Sequence, residues 1–429
     1  MKSILQKYTQ PTTVFLCAVL LLSMLCSKLL LSMATFGLVF LGIGYWLAFP
    51  ERGAKLHKRY DVLAPFALFV FVGITGLYSR NTGAWLSELR VLLPFFGLPL
   101  VFYLLPPMTP QQYKNLHYWF IFWVGMVCIT MNIDYLLHAP QWIYILKHGQ
   151  SVEPKLFWIK PIDHIRFSLL LAFSSVASGY FLFFTKEENP RTRLFLRLFL
   201  GISLFLCVET LHLLAVRSGL LAFYATVFLG AIVYFFQKKQ LLVGIFALSS
   251  IIAIPLIAIK TIPSLSAKYY YSQWDFIEFK AGRLAETSDA GRLSSMIAGI
   301  YIGNSSPIYG VGFGDIPAES GYQYDIYFPN AAEPLPPHNQ WIFYYAGGGF
   351  IGVLLLFGSF FIPLKTYKKN ILFVLVWSII FWSYTIESTL TTAFGVAITG
   401  FFMGMATNME GNLRVEGLEN KQNLQNQLV

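Results

Sequence analysis

Apolar runs separated by short polar breaks recur along nearly the whole chain. About twelve approach the roughly 20 residues a helix needs to cross a bilayer. They fall at 12–27, 30–49, 62–78, 90–106, 117–137, 165–184, 194–210, 218–236, 240–259, 339–363, 370–388 and 391–407. The first, fourth and seventh are short or weakly bounded. The pattern predicts an all-α polytopic membrane protein and shows no internal repeat.

One long stretch breaks the pattern and divides the chain. Residues 1–259 carry nine predicted spans, 260–338 form a loop domain, 339–407 carry three more spans, and 408–429 form a polar tail expected to lack fixed structure. Within the loop, Tyr269-Tyr-Tyr271, Trp274, Phe276, Ile277 and Phe279 alternate with Lys268, Asp275, Glu278 and Lys280. That composition suits a helix lying in the interface with its aromatics at headgroup depth. A second helix is predicted from about Ala290 to Ile302, with Asp289 near its cap, and 303–314 reads as a turn-rich connection.

Composition agrees with the pattern. The 429 residues are 56% hydrophobic, 17% aromatic and only 12% charged, which excludes a soluble domain and with it a nucleic-acid role. The formal charge of +10 lies mostly in short loops between spans, where it sets orientation. With the N-terminus in the cytoplasm, the internal loops hold Arg52, Lys55, Lys58 and Arg59, then Lys186, Arg191 and Arg193, then Lys238 and Lys239, then Lys365, Lys368 and Lys369. Every such loop is basic, so both termini are expected to be cytoplasmic and the 260–338 domain external. The N-terminal run resembles a signal peptide, but no small-residue cleavage site follows it, and an uncleaved first span is the better reading. Cys17, Cys26, Cys128 and Cys207 all lie in apolar runs and read as packing residues.

Charges within or beside spans cost about 2.5–3.5 kcal/mol each at a helix centre, so each invites a reason. On the external side these are Arg80, Arg90, Asp163, His164, Arg166, Glu209, His212, Arg217 and Glu387, nearly all at helix ends. Arg217 is either an arginine snorkelling to the interface or paired with Glu209, or a guanidinium fork holding phosphate oxygens. Arg292 by itself reads as a surface arginine on an exposed helix. His338 stands where the loop meets the tenth span, placed to accept a proton near neutral pH or, more plainly, to cap the helix. His164 and Arg166 repeat the pattern at the start of the sixth span.

The ordered set Arg217-Ser-Gly219, Gly291-Arg292-Leu293, Pro307-Ile-Tyr-Gly-Val-Gly-Phe-Gly314 and His338-Asn339 leading into Gly347-Gly-Gly-Phe-Ile-Gly352 resembles the bacterial O-antigen ligase and O-antigen polymerase superfamily. Asp163-His-Ile-Arg-Phe-Ser168 resembles it too. Val216 departs from the pattern, since the family often has a serine before the arginine. The resemblance implies a membrane glycosyltransferase of the GT-C type in the bacterial inner membrane, using an undecaprenyl-diphosphate-linked glycan at the periplasmic face. A ligase passes the glycan to a lipid A–core sugar, and a polymerase to another lipid-linked repeat. It further implies that Arg217 and Arg292 engage the diphosphate and that His338 is the essential histidine. His164, Arg166 and Asn339 join them as candidate substrate-binding residues.

The chemistry is consistent with that family. A glycosyl diphosphate already carries a good leaving group, so two arginines stabilise its charge while an imidazole deprotonates the acceptor hydroxyl. No metal or other cofactor is required, and the sequence has no Asp-x-Asp. Asp289, Asp315, Asp325 and Glu333 are too scattered to assemble a metal site. The aromatic loop helix would serve as a lid over the lipid tail. The single external domain ending at His338 favours a ligase over an O-antigen, capsule or exopolysaccharide polymerase. A polysaccharide or lipid transporter is the non-enzymatic alternative, but it would be expected to show paired halves with broken helices near the midplane.

Overall fold

A computed structural model of the chain describes residues 2–157, 159, 163–185, 187–282, 288–331 and 333–426, with the backbone alone past Met409. Lys186, counted above among the basic loop residues, lies outside them. Among the described residues there are fifteen α-helices and no strand. In chain order these are α1 (Lys2–Cys26), α2 (Lys28–Ala48), α3 (Tyr60–Thr75), α4 (Thr82–Leu104), α5 (Pro110–Lys147), α6 (His164–Phe184), α7 (Pro190–Leu214) and α8 (Arg217–Gln237). There follow α9 (Leu241–Thr261), α10 (Pro263–Lys280), α11 (Ser288–Ser305), α12 (Ile316–Tyr327), α13 (Gln340–Tyr367), α14 (Ile371–Ile386) and α15 (Ala393–Asn426).

Nine of these, α1, α2, α4 to α9 and α13, are long and apolar enough to cross a membrane, which makes the chain a multi-pass membrane protein. Each predicted apolar segment is helical, but the short ones are not those the sequence marked. The first, fourth and seventh segments are full helices of 25, 23 and 25 residues, with Pro11, Pro94 and Pro99 accommodated inside the first two. The shorter apolar helices are instead Tyr60–Thr75, Ile371–Ile386 and Ala393–Met409.

Two helices outrun the hydrophobic pattern. α5 continues past 137 to Lys147, with a kink at His138 (φ −131°, ψ 25°). Pro140 lies two residues on, lacks an N–H and crowds the carbonyl one turn back, so the ladder breaks there. α15 likewise carries the polar tail as helical backbone to Asn426 instead of ending near 407.

The core lies among α1, α2, α4 and α15 on one side and α6, α7, α8, α13 and α14 on the other, with Trp377, Tyr384, Phe95, Phe102, Phe313 and Phe401 among its largest buried side chains. α9 buries only Gly244 and Ala258, so most of its apolar surface faces outward. At the end of the bundle away from the loop domain, Asp61 takes a fork from Arg59 at 2.9 and 2.6 Å. Tyr367, in hydrogen-bond contact with both, reaches Thr407 at 2.9 Å. A buried ion pair is tolerated because its remaining valences are closed, and here the closure ties the foot of α3 to α13 and α15.

The glycine-rich turn is a structural device. α13 breaks at Gly349 (φ 59°, ψ −157°), and the backbone of 307–312 pairs with the break. Val311 N–H donates to the Ala346 carbonyl and Gly312 N–H to the Gly347 carbonyl, each at 3.0 Å, while Phe350 N–H donates to Pro307 at 2.8 Å. Gly310 has φ +70°, and a Cβ there would lie 2.3 Å from the Gly347 carbonyl carbon. Just beyond it, the Asp315 carboxylate accepts the Arg80 N–H at 2.9 and 3.0 Å and the Asn81 N–H at 2.9 Å, anchoring the turn to the α3–α4 connection.

Gly310→Ala should therefore lower stability by at least about 1 kcal/mol from backbone strain alone, and by more from the collision. Gly321→Ala in α12, where nothing lies within 4 Å of the added methyl, should not lower stability and should raise it by up to about 1 kcal/mol through helix propensity. Thermal unfolding of both variants in detergent measures this, and a wild-type melting temperature for Gly310→Ala would contradict the pairing.

Candidate active site

The site begins at the joint between α6, α7 and α8. Asp163 caps α6, accepting the Arg166 N–H at 3.0 Å and pairing with the Arg166 guanidinium at 2.7 Å. α7 ends in left-handed Ala215 (φ 51°), Val216 occupies the N-cap of α8 without a side-chain capping bond, and Arg217 opens the helix. Gly219 then lets α8 close on α6, because a Cβ there would lie 2.5 Å from Ser168 Cβ. The Asp163–Ser168 and Arg217–Gly219 segments thus meet.

α10 turns polar residues, and not its aromatics, into the protein. Tyr269, Tyr270, Trp274, Phe276 and Ile277 are exposed, whereas Lys268 and Asp275 are buried. Lys268, Ser272 and Asp275 stand at i, i+4 and i+7, on one helical face. That face turns inward. Lys268 Nζ donates to the Gly149 and Gln150 carbonyls at 2.8 and 3.3 Å, and the Arg217 guanidinium donates to Ser272. Burial, then repulsion from Arg217 and Arg292, pushes the Lys268 ammonium down to about 8, with Asp275 opposing.

α11 supplies the other wall. Its first N–H groups are taken by Asp275 of α10, which accepts from Asp289 at 2.8 Å and from Ala290 at 3.4 Å. The cap is therefore Asp275, reaching across from α10, and Asp289 is left to pair with Arg217. Gly291, Ser295, Gly299 and Gly303 form a stripe of small residues at a spacing of four. Added Cβ atoms at Gly299 and Gly303 would lie 2.6 Å from Pro337 and 2.2 Å from Tyr345, so the stripe is what lets α11 press against the start of α13. Arg292 points off this stripe to Glu387, 2.6 Å away, with its side chain 21% exposed. The surface arginine expected from the sequence alone is in fact half-sheltered and paired.

His338 lies against the stripe. Its backbone N–H donates to Ser295 Oγ at 3.1 Å, and its ring Nδ1 lies 3.1 Å from the Pro336 carbonyl and 3.3 Å from Ser295 Oγ. Burial first, and the positive charge of Arg292 second, hold its pKa below the ordinary 6.5. The segment is bolted down on both sides of the ring. Pro337 accepts from Ser388, Asn339 Nδ2 donates to the Thr385 carbonyl at 2.7 Å, and Gln340 accepts from Leu390 N–H at 2.6 Å.

Of the residues singled out from sequence, Arg217, Arg292 and His338 come together, the two arginines and Lys268 close enough to feel one another's charge. His164, 3.4 Å from Glu153, and Arg166 flank the group, both within the field of Glu387. Asn339 has a structural duty beside them: its amide oxygen caps α13 at Trp341 and Ile342 and its nitrogen donates to Thr385, which braces the His338 segment. Lys268, Asp275 and Ser295 join the group without having been marked by the sequence, and Asp289 and Glu387, visible there only as isolated carboxylates, gain partners. For α10, the signal was the i, i+4, i+7 register of three polar residues in a helix otherwise rich in aromatics.

Helix bundle and site together define a multi-pass membrane protein whose helix ends gather guanidinium, ammonium and imidazole groups opposite carboxylates, a constellation suited to an anion. Residues 202–357 match the family model described as O-antigen ligase, which bears out the resemblance to the O-antigen ligase and polymerase superfamily. The match contains Arg217, Lys268, Arg292 and His338. No curated protein matches the chain.

Because Arg292 depresses the His338 pKa, Arg292→Gln should raise it toward 6.5. Histidine-labelled protein titrated by NMR, with His338 assigned by its loss in His338→Gln, measures the shift. A fall, or no change, would contradict the coupling.

Proposed function

We propose that this protein is an O-antigen ligase of the bacterial inner membrane, metal-independent and inverting, and of the GT-C type. It transfers a glycan from undecaprenyl diphosphate to a lipid A–core sugar hydroxyl at the periplasmic face. The observation that carries the reading is the meeting of Arg217, Arg292 and His338 at one set of helix ends, within the segment matched to the O-antigen ligase family. The basic short loops support twelve spans with both termini cytoplasmic, which leaves this end of the bundle periplasmic.

In the reaction, His338 Nε2 takes the proton of the acceptor hydroxyl as its oxygen attacks the anomeric carbon. The bond from that carbon to the diphosphate oxygen breaks on the opposite face, and undecaprenyl diphosphate leaves with the electron pair. Arg217 and Arg292 bind the diphosphate and meet the charge that builds on it, each contact worth about 1.5–3 kcal/mol. His164 and Arg166 flank the cluster beside Glu387 and bind phosphate or sugar groups of the substrates. A low imidazole pKa keeps His338 neutral, and so able to accept a proton, at pH 7.

The carboxylates of Asp289 and Glu387 already answer Arg217 and Arg292, so an incoming diphosphate competes with them. Asp289→Asn removes one negative charge at nearly constant shape and should tighten binding of inorganic pyrophosphate several-fold, more at low salt than at high. Calorimetric titration reads this out, and weaker binding would argue against an anion site at Arg217.

The central test is transfer in liposomes with purified protein, undecaprenyl-diphosphate glycan and lipid A–core, in the presence of EDTA. One glycan block should appear on lipid A–core, and His338→Ala should slow it by about 10²–10⁴-fold. Arg217→Lys and Arg292→Lys should each cost kcat/KM about 10-fold or more, because an ammonium does not reproduce the guanidinium fork. Lengthened lipid-linked glycan with unmodified core would make the protein a polymerase on the same donor. No transfer by folded wild type with several donors would favour a transporter.

A further inference from the structure

His338 Nδ1 faces two oxygens, Pro336 O at 3.1 Å and Ser295 Oγ at 3.3 Å. A carbonyl can only accept. The Ser295 hydroxyl proton is itself committed to the Arg292 carbonyl at 2.8 Å, so the serine turns its lone pairs toward His338. One of them takes the His338 backbone N–H at 3.1 Å, and the other borders Nδ1. Both groups beside Nδ1 are thus acceptors, and the neutral ring is left with its proton on Nδ1 and its lone pair on Nε2.

Ser295 is fully buried and can reach this position because the small-residue stripe brings α11 against 335–345. The same hydroxyl fastens the Arg292 carbonyl, one turn earlier on α11, to the backbone of His338.

We infer that Ser295 is a positioning residue that, with the Pro336 carbonyl, sets the tautomer of His338 and that fixes the ring's orientation relative to Arg292. The inference rests on the reading of His338 as general base. Ser295 touches no reacting atom and acts through the imidazole it holds, as the partners of metal-bound or catalytic histidines do.

The test uses the full chain in liposomes, labelled with ring-¹⁵N histidine, with the His338 signals assigned by their loss in His338→Gln. Wild type should show a protonated Nδ1 and an unprotonated Nε2. Ser295→Ala should admit the Nε2–H tautomer and lower kcat by about 10–100-fold with donor KM retained. Ser295→Thr, which keeps the hydroxyl, should hold the wild-type tautomer. If Ser295→Ala does not fold, Ser295→Cys replaces it, since a thiol is a poor acceptor. A wild-type signal from the Nε2–H tautomer would overturn the inference, as would a hydroxyl-free variant with wild-type tautomer and kcat. Full transfer by His338→Ala would instead overturn the base reading, while the tautomer result would still report whether Ser295 positions the ring.

Discussion

Arg217, Lys268 and Arg292 cannot share one end of a helix bundle unless something opposes their repulsion. Two unit charges about 6 Å apart at an effective dielectric near 20 repel by roughly 3 kcal/mol. Asp275, Asp289 and Glu387 supply the opposition, and each does so from a different element. Asp289 opens α11 and answers Arg217 of α8, whereas Glu387, just past α14, answers Arg292 of α11. Asp275 sits in α10 and neutralises Lys268 and Arg217 while capping α11. The contacts that neutralise these charges therefore also help dock the 260–338 region on the membrane helices.

Within that frame, close approach is arranged by small residues. Gly299 and Gly303 bring α11 onto Pro337 and Tyr345, and Gly310 lets the next turn lie against the break in α13 at Gly347–Gly349. These glycines act by lacking a side chain. They shorten distances so that Ser295 reaches His338 and so that α13 enters the bundle at a fixed angle. In the run Gly310-Val-Gly-Phe-Gly314 the N–H groups of Gly310, Val311, Gly312 and Gly314 are spent within the protein, on the Ser306, Ala346 and Gly347 carbonyls and on Ser79 Oγ.

The helical bundle was legible in the sequence because apolar runs near 20 residues have few other uses. Their exact ends were not. Proline lowers apparent helicity by a local rule that neighbouring helices override in Pro11, Pro94 and Pro99, while at Pro140 the chain kinks and then resumes. Arg217 and His338 were visible as charges stranded at helix ends. Lys268, Asp275 and Ser295 were not, for different reasons. Lys268 and Asp275 lie in a helix whose aromatics draw the eye to an interface, and only the helical register shows that the polar face turns inward. Ser295 is one small polar residue among several, and its role exists only once α11 and the His338 segment touch.

The position of the cluster at helix ends, away from the bundle middle, follows from what it must do on the proposed reading. A lipid-linked diphosphate carries its charge at headgroup depth, where ions can be paired without being fully dehydrated. The outer face of α10, with Tyr269, Tyr270, Trp274 and Phe276 exposed, lies back to back with Lys268 and Asp275, so one helix presents aromatics outward and polar groups to the charge cluster. On that same reading, with His338 as the base, the titrations of the cluster bound its working range. His338 stays a base because burial and Arg292 hold its pKa below 6.5, so acid removes the base only below that value. Lys268, pushed down to about 8, gives up its charge on the alkaline side and with it part of the field that attracts an anion. Burial first, and the crowding of cations second, lower both pKa values, and the window between them brackets neutral pH.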